Sequence, residues 1–508
     1  MRLSDLFASV EGCRLAGAAD VHISSLSYRS DQAGEGTLFF CVPGFVRDGH
    51  DFAPDAVARG ASALCVERPL DLPVAQVVVP SVRQAMGPVA AAFYGRPSSR
   101  LLTVGITGTN GKTTSAFLVA HLLDRAGHRA GLMGTVERRI GGEVLPAGRT
   151  TPEALDIQRD LASMVAAGDE AAVMEVSSHA LDLGRARGID FRAVAFTNLT
   201  QDHLDYHETL EAYFSAKSRL FLDPEFAGGR PAIVINIDDA FGRMLANRCD
   251  PQNMIRISSS GQWSGPDAAE MELSDFVIDA SGTKGVLVLR GKARERAKGV
   301  GGPESRLEVE TRLVGAFNVA NTLTALGIGL GLGLDLEHML FALSAFPGVP
   351  GRMEPVDAGQ DFAVLVDYAH TPDSVRNVLS TAREITKGRL IAVLGCGGDR
   401  DRGKRPQMGH EAEIGADVVV ITSDNPRTER PEAIIADIVA GLERPSDAKV
   451  RPDRRKAIEE AVVEARAGDV VLILGKGHES GQEFATETLP FDDRSVAREA
   501  LTSRARGR

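Results

Sequence analysis

The stretch Thr103-Val-Gly-Ile-Thr-Gly-Thr-Asn-Gly-Lys-Thr-Thr114 constrains the fold more than any other part of the chain. Residues 101–106 read as a strand, and the residues from Lys112 onward keep a helical pattern that ends near Gly127. A strand that passes through glycines into a helix N-terminus gathers backbone N–H groups at one point and makes an anion site. Gly108 and Gly111 let that backbone approach phosphate oxygens, with Thr109 and Asn110 between them. Lys112 supplies charge for a β- and a γ-phosphate, and Thr113 is placed to bind Mg²⁺. The general phosphate-loop pattern asks for glycine five residues before Gly111, where the chain has Ile106, so it fails at that position. The reading is a nucleotide-binding α/β unit. The loop alone does not separate a ligase from a kinase, a transporter or a switch.

At 508 residues the chain is too long for one ordinary domain, and three blocks can be drawn. The first, residues 1–98, holds short strand-like runs such as 38–42 and a helical stretch at 53–59, and ends in the linker-like loop 94–99. The second, 99–345, continues with apolar runs at 171–176, 193–196 and 232–237, spaced as in an α/β sheet. Residues 276–280 and 286–289 flank Ser281-Gly282-Thr283 and read as a hairpin. Beyond it Lys292, Arg294, Arg296 and Lys298 form a basic cluster that reads as a solvated loop. The Pro/Gly stretch 347–351 opens the third block, 346–508, with strands expected at 363–366, 390–394, 418–421 and 470–474. Asp453 is the expected N-cap of a helix whose apolar face is Ile458, Ala461, Val462 and Ala465. Short strands with helical crossovers imply doubly wound sheets, with ligands at the carboxyl ends of strands.

Composition excludes some functions. A net charge of −12 argues against nucleic-acid backbone binding as the main task. The five cysteines, Cys13, Cys41, Cys65, Cys249 and Cys396, lack metal-ligand spacing and read as reduced cytosolic thiols. Residues 313–334 carry no charge over nearly a membrane's thickness, but they include Asn318, Asn321, Thr322 and Thr324 and lack basic flanks. A buried helix is expected there, in a soluble cytoplasmic protein with no membrane insertion and no secretory leader.

A second constellation follows the phosphate loop. Met174-Glu-Val-Ser-Ser-His179 ends an apolar run, placing Glu175 and His179 at a strand's carboxyl end. Residues 196–207 concentrate Asn198, Asp202, His203, Asp205 and His207 on one loop. Carboxylate oxygens suit Mg²⁺, which keeps waters and shares phosphate oxygens. Lys217, one short helix downstream, reads from spacing alone as a helix-surface lysine with an i,i+4 partner.

Taken together these segments resemble the Mur ligase family, whose nucleotide loop reads Gly-Thr-Asn-Gly-Lys-Thr, as at residues 108–113 here. The resemblance extends through 174–179, 198–207, Lys217, 313–321, 351–354, 366–373 and the third block. It implies three α/β domains: a nucleotide-sugar-binding one, a P-loop ATPase-like one and a Rossmann-like one. It also implies that Lys217 is carbamylated and holds magnesium together with Thr113, Glu175 and His203. ATP contacts would come from residues 108–113 with Thr114, and from Asn318, Arg352 and Asp367, so that the nucleotide is shared by the second and third blocks. The UDP-muramoyl dipeptide would meet Thr150, Thr151, Ser177 and Arg185, with Leu26 and Tyr28 in the first block. There Leu26-Ser-Tyr-Arg29 departs from the Leu-Asp-Ser-Arg often found in the family, so that Tyr28 stands in place of a small hydroxyl.

Within the family the likeness is to members that add meso-diaminopimelate. Asp424-Asn-Pro-Arg427, Gly397-Gly-Asp-Arg400 and Gly475-Lys-Gly-His-Glu479 match their acceptor loops. Arg400, Asp424, Asn425, Pro426, Arg427, Gly475 and Glu479 would then bind the amino acid. A guanidinium pairs bidentately with a carboxylate, so L-lysine, which lacks the distal carboxylate, would leave Arg400 and Arg427 unpaired. The implied reaction joins meso-diaminopimelate to D-glutamate through an acyl phosphate, with Lys112, Lys217 and Arg352 as the catalytic residues. The base for the attacking amine stays open between His207 and solvent. A monomer acting on small molecules is expected. The rivals are a folylpolyglutamate synthase, which shares the ATP-ligase core, and a noncatalytic nucleotide-gated binding protein.

Overall fold

Apolar runs without alternation become strands buried on both faces, the mark of parallel sheets covered by helices. In the computed structural model Thr37–Phe40, Ala63–Val66, Ala171–Glu175, Ala193–Phe196, Leu390–Leu394 and Val470–Leu474 are buried at every position. The structure describes all residues except 18–20, 45, 227–228, 263–267, 280–281, 298–303 and 508, and the backbone alone of 204, 205 and 507.

The first block forms a five-stranded sheet from β1 (Arg14–Ala16), β2 (Ser25–Ser27), β3 (Thr37–Phe40), β4 (Ala63–Val66) and β5 (Ala75–Val78), in the order β1-β5-β4-β3-β2. Only β1 runs antiparallel to its neighbour. The core of this block continues into Ala154 and Leu155 of the helix Ala154–Ala167. The first block and the start of that helix therefore share one core.

The second block is built on β6 (Leu102–Thr107), β7 (Ala130–Met133), β8 (Glu137–Ile140), β9 (Glu143–Pro146), β10 (Ala171–Glu175), β11 (Ala193–Phe196), β12 (Ala232–Asn236) and β13 (Met254–Ser258). They lie in the order β13-β12-β11-β6-β10-β7-β8-β9. From β13 to β7 every pairing is parallel, and β8 and β9 add an antiparallel edge. Central β6 has β10 on one side and β11 on the other, so the loops leaving all three open at one edge, where ligands bind in such sheets. Next come β14 (Met271–Asp279), β15 (Gly282–Leu289) and β16 (Ser305–Thr311). β14 and β15 are sheet neighbours, as a hairpin requires, while Ala280 and Ser281 of the expected turn lie outside the described residues.

The basic cluster is not the expected loop. Residues Gly291–Arg296 form a helix, since Lys, Ala, Arg and Glu all favour one, and Lys298 lies outside the described residues. The uncharged stretch forms the helix Ala316–Leu332, with Val319, Leu323, Leu326, Ile328 and Leu330 buried. Among the described residues no helix is long and apolar enough to cross a membrane.

The third block is a six-stranded sheet of β17 (Glu354–Pro355), β18 (Ala363–Asp367), β19 (Leu390–Leu394), β20 (Val418–Ile421), β21 (Lys449–Val450) and β22 (Val470–Leu474). Its order is β17-β18-β22-β19-β20-β21, parallel apart from β17. Asp453 caps the helix Arg454–Glu464 by accepting from Lys456 N, and Ile458, Ala461, Val462 and Ala465 are all buried under the sheet. By packing the chain divides into two compact units. One takes residues 1–274, 287–307 and 320–343, and the other takes 275–286, 308–319 and 344–508.

Candidate active site

The loop after β6 is clamped by the loop after β11. Thr109 N donates to Asn198 O (2.8 Å), Asn110 N to Asn198 Oδ1 (2.9 Å) and Thr197 Oγ1 to Asn110 O (2.6 Å). Gly111 sits at φ +83° as N-cap of the helix Lys112–Arg125, and a methyl group there would run into Asn321 Oδ1. Only glycine meets both conditions without strain. Thr114 is buried in the first turn of that helix. Lys112 Nζ folds back onto its own loop, donating to Gly108 O (3.0 Å) and Thr109 O (2.8 Å), an arrangement a phosphate can replace.

Thr113 Oγ1 donates to Glu175 Oε2 at 3.0 Å, which brings two of the expected metal ligands together. The other carboxylate oxygen, Oε1, accepts from Thr135 N (2.8 Å), and Thr135 Oγ1 donates to Oε2 (3.1 Å). Sequence reasoning missed Thr135 and Thr197, since a threonine on a loop carries no signal of its own. The hard hydroxyl and carboxylate oxygens fit Mg²⁺. Among the described residues no three His, Cys, Asp or Glu side chains cluster so as to hold a metal ion; the expected set contains just two such residues, Glu175 and His203.

Lys217 is not the surface lysine its spacing suggests: it is 1% exposed. Its Nζ donates to Gly108 O at 2.7 Å, the same carbonyl that Lys112 uses, and lies 4.5 Å from the centroid of the Tyr213 ring. Burial, and then the charge of Lys112, hold its amine well below the usual lysine range. His203 has φ +54° and is half-exposed, with Nε2 3.5 Å from Asp202 Oδ2. Its ring packs edge-on to His179 (4.9 Å between centroids) and lies 6.1 Å from that of Tyr213, so Tyr213 is a common neighbour of His203 and Lys217. His207 stacks on Tyr213 at 5.2 Å. The side chain of Asp205 lies outside the described residues.

The residues expected at the sugar-nucleotide peptide form a connected group with one exception. Thr151 Oγ1 donates to Glu175 O (2.8 Å) and accepts from Ser177 N (3.0 Å). Arg185 Nη1 donates to Thr151 O (3.1 Å), and Nη2 pairs with Glu153 Oε1 (2.8 Å). Thr150 shares a hydroxyl hydrogen bond with Thr135 at 3.0 Å. Tyr28 donates to Asp156 Oδ2 at 2.6 Å and lines a cavity of about 270 Å³ with Arg138, Arg149, Glu153 and Asp156. Leu26 is the exception. Its side chain is buried in the first block's core, because β2 turns that position inward, and its backbone alone is left for a ligand.

In the third block Asp367 ends β18 and is buried, accepting from Met353 N (2.7 Å) and Ala369 N (2.8 Å). It thereby holds the turn that carries Arg352, whose guanidinium lies 5.1 Å from the centroid of the Tyr368 ring. Burial pushes the Asp367 carboxyl up, against the pull of Arg352. Asn318 Nδ2 donates to Val314 O (2.8 Å) within its own helix start.

The loops leaving adjacent strands β19, β20 and β22 meet. Gly398 N donates to Asn425 O (2.8 Å), and a methyl at Gly398 would strike Pro426 O. Gly475, at φ +113°, lies against Asp424, where a methyl would strike Oδ2. Asn425 Nδ2 donates to Glu479 Oε2 (2.7 Å). A methyl placed at Gly397 would lie 3.0 Å from Arg427 Nη1 and 3.9 Å from Arg400 Cγ, so both arginines flank one spot. Arg400 is exposed and donates to Asp399 O (3.0 Å). Arg427 corrects the expectation of an unpaired clamp. Its Nε already pairs with Glu483 Oε2 at 2.7 Å, and its Nη1 donates to Gly398 O at 2.8 Å. Glu483 lies 56 residues away, on the edge strand Gly481–Glu483, so no local pattern announces it.

Across its whole length the chain is 44% identical to a UDP-N-acetylmuramoyl-L-alanyl-D-glutamate–2,6-diaminopimelate ligase of Geobacillus kaustophilus, covering 99% of this chain and 100% of that one. The chain belongs to the Mur ligase family. The Mur ligase middle domain matches residues 106–329, the glutamate ligase domain 351–477 and the family's catalytic domain 22–94. A Mur ligase of the same description from Gloeobacter violaceus is 46% identical over 99% of both chains. A solved diaminopimelate ligase of this description superposes with a TM-score of 0.71 at 33% identity, covering 99% of each chain. The MurF ligase of Thermotoga maritima in complex with ADP shares the fold, with a TM-score of 0.58 at 18% identity over 95% of this chain and 97% of that one.

Proposed function

We propose that this Mur ligase adds meso-diaminopimelate to the D-glutamate of UDP-N-acetylmuramoyl-L-alanyl-D-glutamate, with ATP going to ADP and phosphate, in the cytoplasm. One observation carries the reading: three loops from adjacent strands meet, with Arg400 and Arg427 flanking Gly397, Asn425 bonded to Glu479, and Asp424 and Glu479 both within 4 Å of Lys476 Nζ. That charge pattern suits an amino acid with a distal amino-carboxylate end.

Each unit carries part of the chemistry. In the first, a D-glutamate carboxylate oxygen attacks the γ-phosphorus, and ADP leaves as the acyl phosphate forms. Lys112 and the backbone N–H groups of 108–111 neutralise charge on the transferred group. Thr113, Glu175, His203 and a carbamylated Lys217 are the residues we assign to Mg²⁺, which when bound supplies further charge neutralisation. Lys217 suits that modification, because burial and the Lys112 charge disfavour its protonated form, the free amine is the nucleophile that adds to CO₂, and the anionic carbamate attracts Lys112 where an ammonium would repel it. In the second unit the acceptor loops bind the amino acid, and Arg352 and Asp367 form the turn assigned to the nucleotide. The amine then attacks the acyl carbon, its proton is lost and phosphate leaves. The test is ATP turnover with the muramoyl dipeptide and each of meso-diaminopimelate, L-lysine and L-ornithine. Fast turnover is expected with the first alone, and a preference for either of the others would refute the substrate.

A further inference from the structure

Lys476 is wholly buried, at 0% exposure, and has no part in the phosphate chemistry or the arginine pair. Its Nζ donates to Asn425 Oδ1 (2.8 Å) and Glu479 Oε2 (3.1 Å) and lies 3.8 Å from Asp424 Oδ1. A buried ammonium needs anionic and carbonyl oxygens to replace its lost water. Here those oxygens belong to three residues of the acceptor loops, and two consequences follow.

The first is orientation. Asn425 Oδ1 accepts from both Lys476 Nζ and Glu483 N (3.0 Å), which commits the oxygen inward. Asn425 Nδ2 must then face the other way, giving one N–H to Glu479 and keeping a second for a ligand acceptor. The second is charge. Asp424 and Glu479 both lie within 4 Å of one ammonium, and Lys476 reduces their two negative charges to a net one, which matches a single ammonium.

We infer that Lys476 is a specificity-determining positioning residue for the amino-acid substrate. It trims the carboxylate pair to one net charge and turns the Asn425 amide, so that the loops accept an ammonium with a carboxylate beside it in preference to an ammonium alone. The inference rests on the proposed function. Without Lys476 the extra negative charge repels the distal carboxylate of meso-diaminopimelate and attracts the bare ammonium of lysine.

The wild type is first measured with meso-diaminopimelate, L-lysine and L-ornithine. Preference for another amino acid defeats the functional reading without touching the charge argument, which is then read on the amino acid that is used, and use of none overturns both. For Lys476→Met the KM for meso-diaminopimelate should rise roughly 30-fold or more, and the kcat/KM ratio over L-lysine should fall about tenfold, as for one lost partner of a buried charge pair. KM for ATP and for the muramoyl dipeptide should stay within about twofold. The double variant Lys476→Met/Glu479→Gln restores the single net charge, keeps the loops foldable if the first variant does not fold, and should recover part of the ratio while KM stays high. Thermal melting and ADP binding establish folding. An unchanged ratio in a folded variant, or an equal rise in all three KM values, overturns the inference.

Discussion

Replacing Arg427 by alanine separates recognition from scaffolding in the acceptor site. The guanidinium makes two bonds at present, to Glu483 Oε2 at 2.7 Å and to Gly398 O at 2.8 Å, and its side chain is 23% exposed against 48% for Glu483. An ion pair this open contributes at most about 1 kcal/mol, so the variant should fold with nearly the wild-type melting temperature. The loop stays anchored by Gly398 N to Asn425 O. Because Glu483 already neutralises Arg427, lysine does not strand a buried charge in the wild type, and discrimination is smaller than an unpaired guanidinium would give. What remains is one charge-assisted hydrogen bond to the distal carboxylate, about 1.5–3 kcal/mol, or roughly 10- to 150-fold in kcat/KM. Arg427→Ala should lose that factor with meso-diaminopimelate, change by less than about threefold with L-lysine, and leave the KM for ATP unmoved. Glu483→Gln should act in the opposite sense, lowering the KM for meso-diaminopimelate a few-fold, since it removes a competing carboxylate. Steady-state kinetics on both amino acids for both variants is the assay. Equal loss for the two amino acids in Arg427→Ala would make Arg427 a loop brace and refute the argument.

Lys112→Ala should abolish ligation, as no other loop side chain supplies the same charge, while its melting curve stays near normal, because the bonds from Nζ to Gly108 O and Thr109 O lie within one loop. Lys217→Ala should lose most activity and regain part of it with formate, which returns an anionic oxygen; full activity of Lys217→Arg would exclude the carbamate. His478 is held down to about 4 by burial and by the charges of Arg352 and Arg494, so it is neutral in the fold and charged when unfolded below the ordinary histidine range. Its stability contribution is therefore full above pH 6.5 and lost as pH falls from there to about 4. On the order of 1–2 kcal/mol is at stake after discounting for partial exposure. His478→Gln should flatten that part of the melting-temperature profile, and parallel profiles for the two proteins would disprove it.

The phosphate loop and the unbroken apolar strands, such as those at 38–42, 171–176, 390–394 and 470–474, are legible in the chain alone because each is local, whereas the acceptor motifs are read through the family resemblance. Glycine at positive φ, unbroken apolar runs and a helix start after a strand need only neighbouring residues to declare themselves. By the same means the capped helix at Asp453 and the buried helix at 316–332 could be placed. Burial of single charged groups is another matter, since it depends on neighbours that arrive from elsewhere. Lys217 looks solvated on its helix and becomes a buried amine because Gly108, 109 residues earlier, comes to lie against it. Lys476 looks like any lysine between glycines until β22 inserts between β18 and β19 and brings Asp424 and Asn425 around it. Glu483 on Arg427 and Asp156 on Tyr28 likewise meet across 56 and 128 residues. Motifs name the chemistry that side chains can do, and strand order, which no motif encodes, decides which of those side chains share a site and which oxygens remain for the ligand.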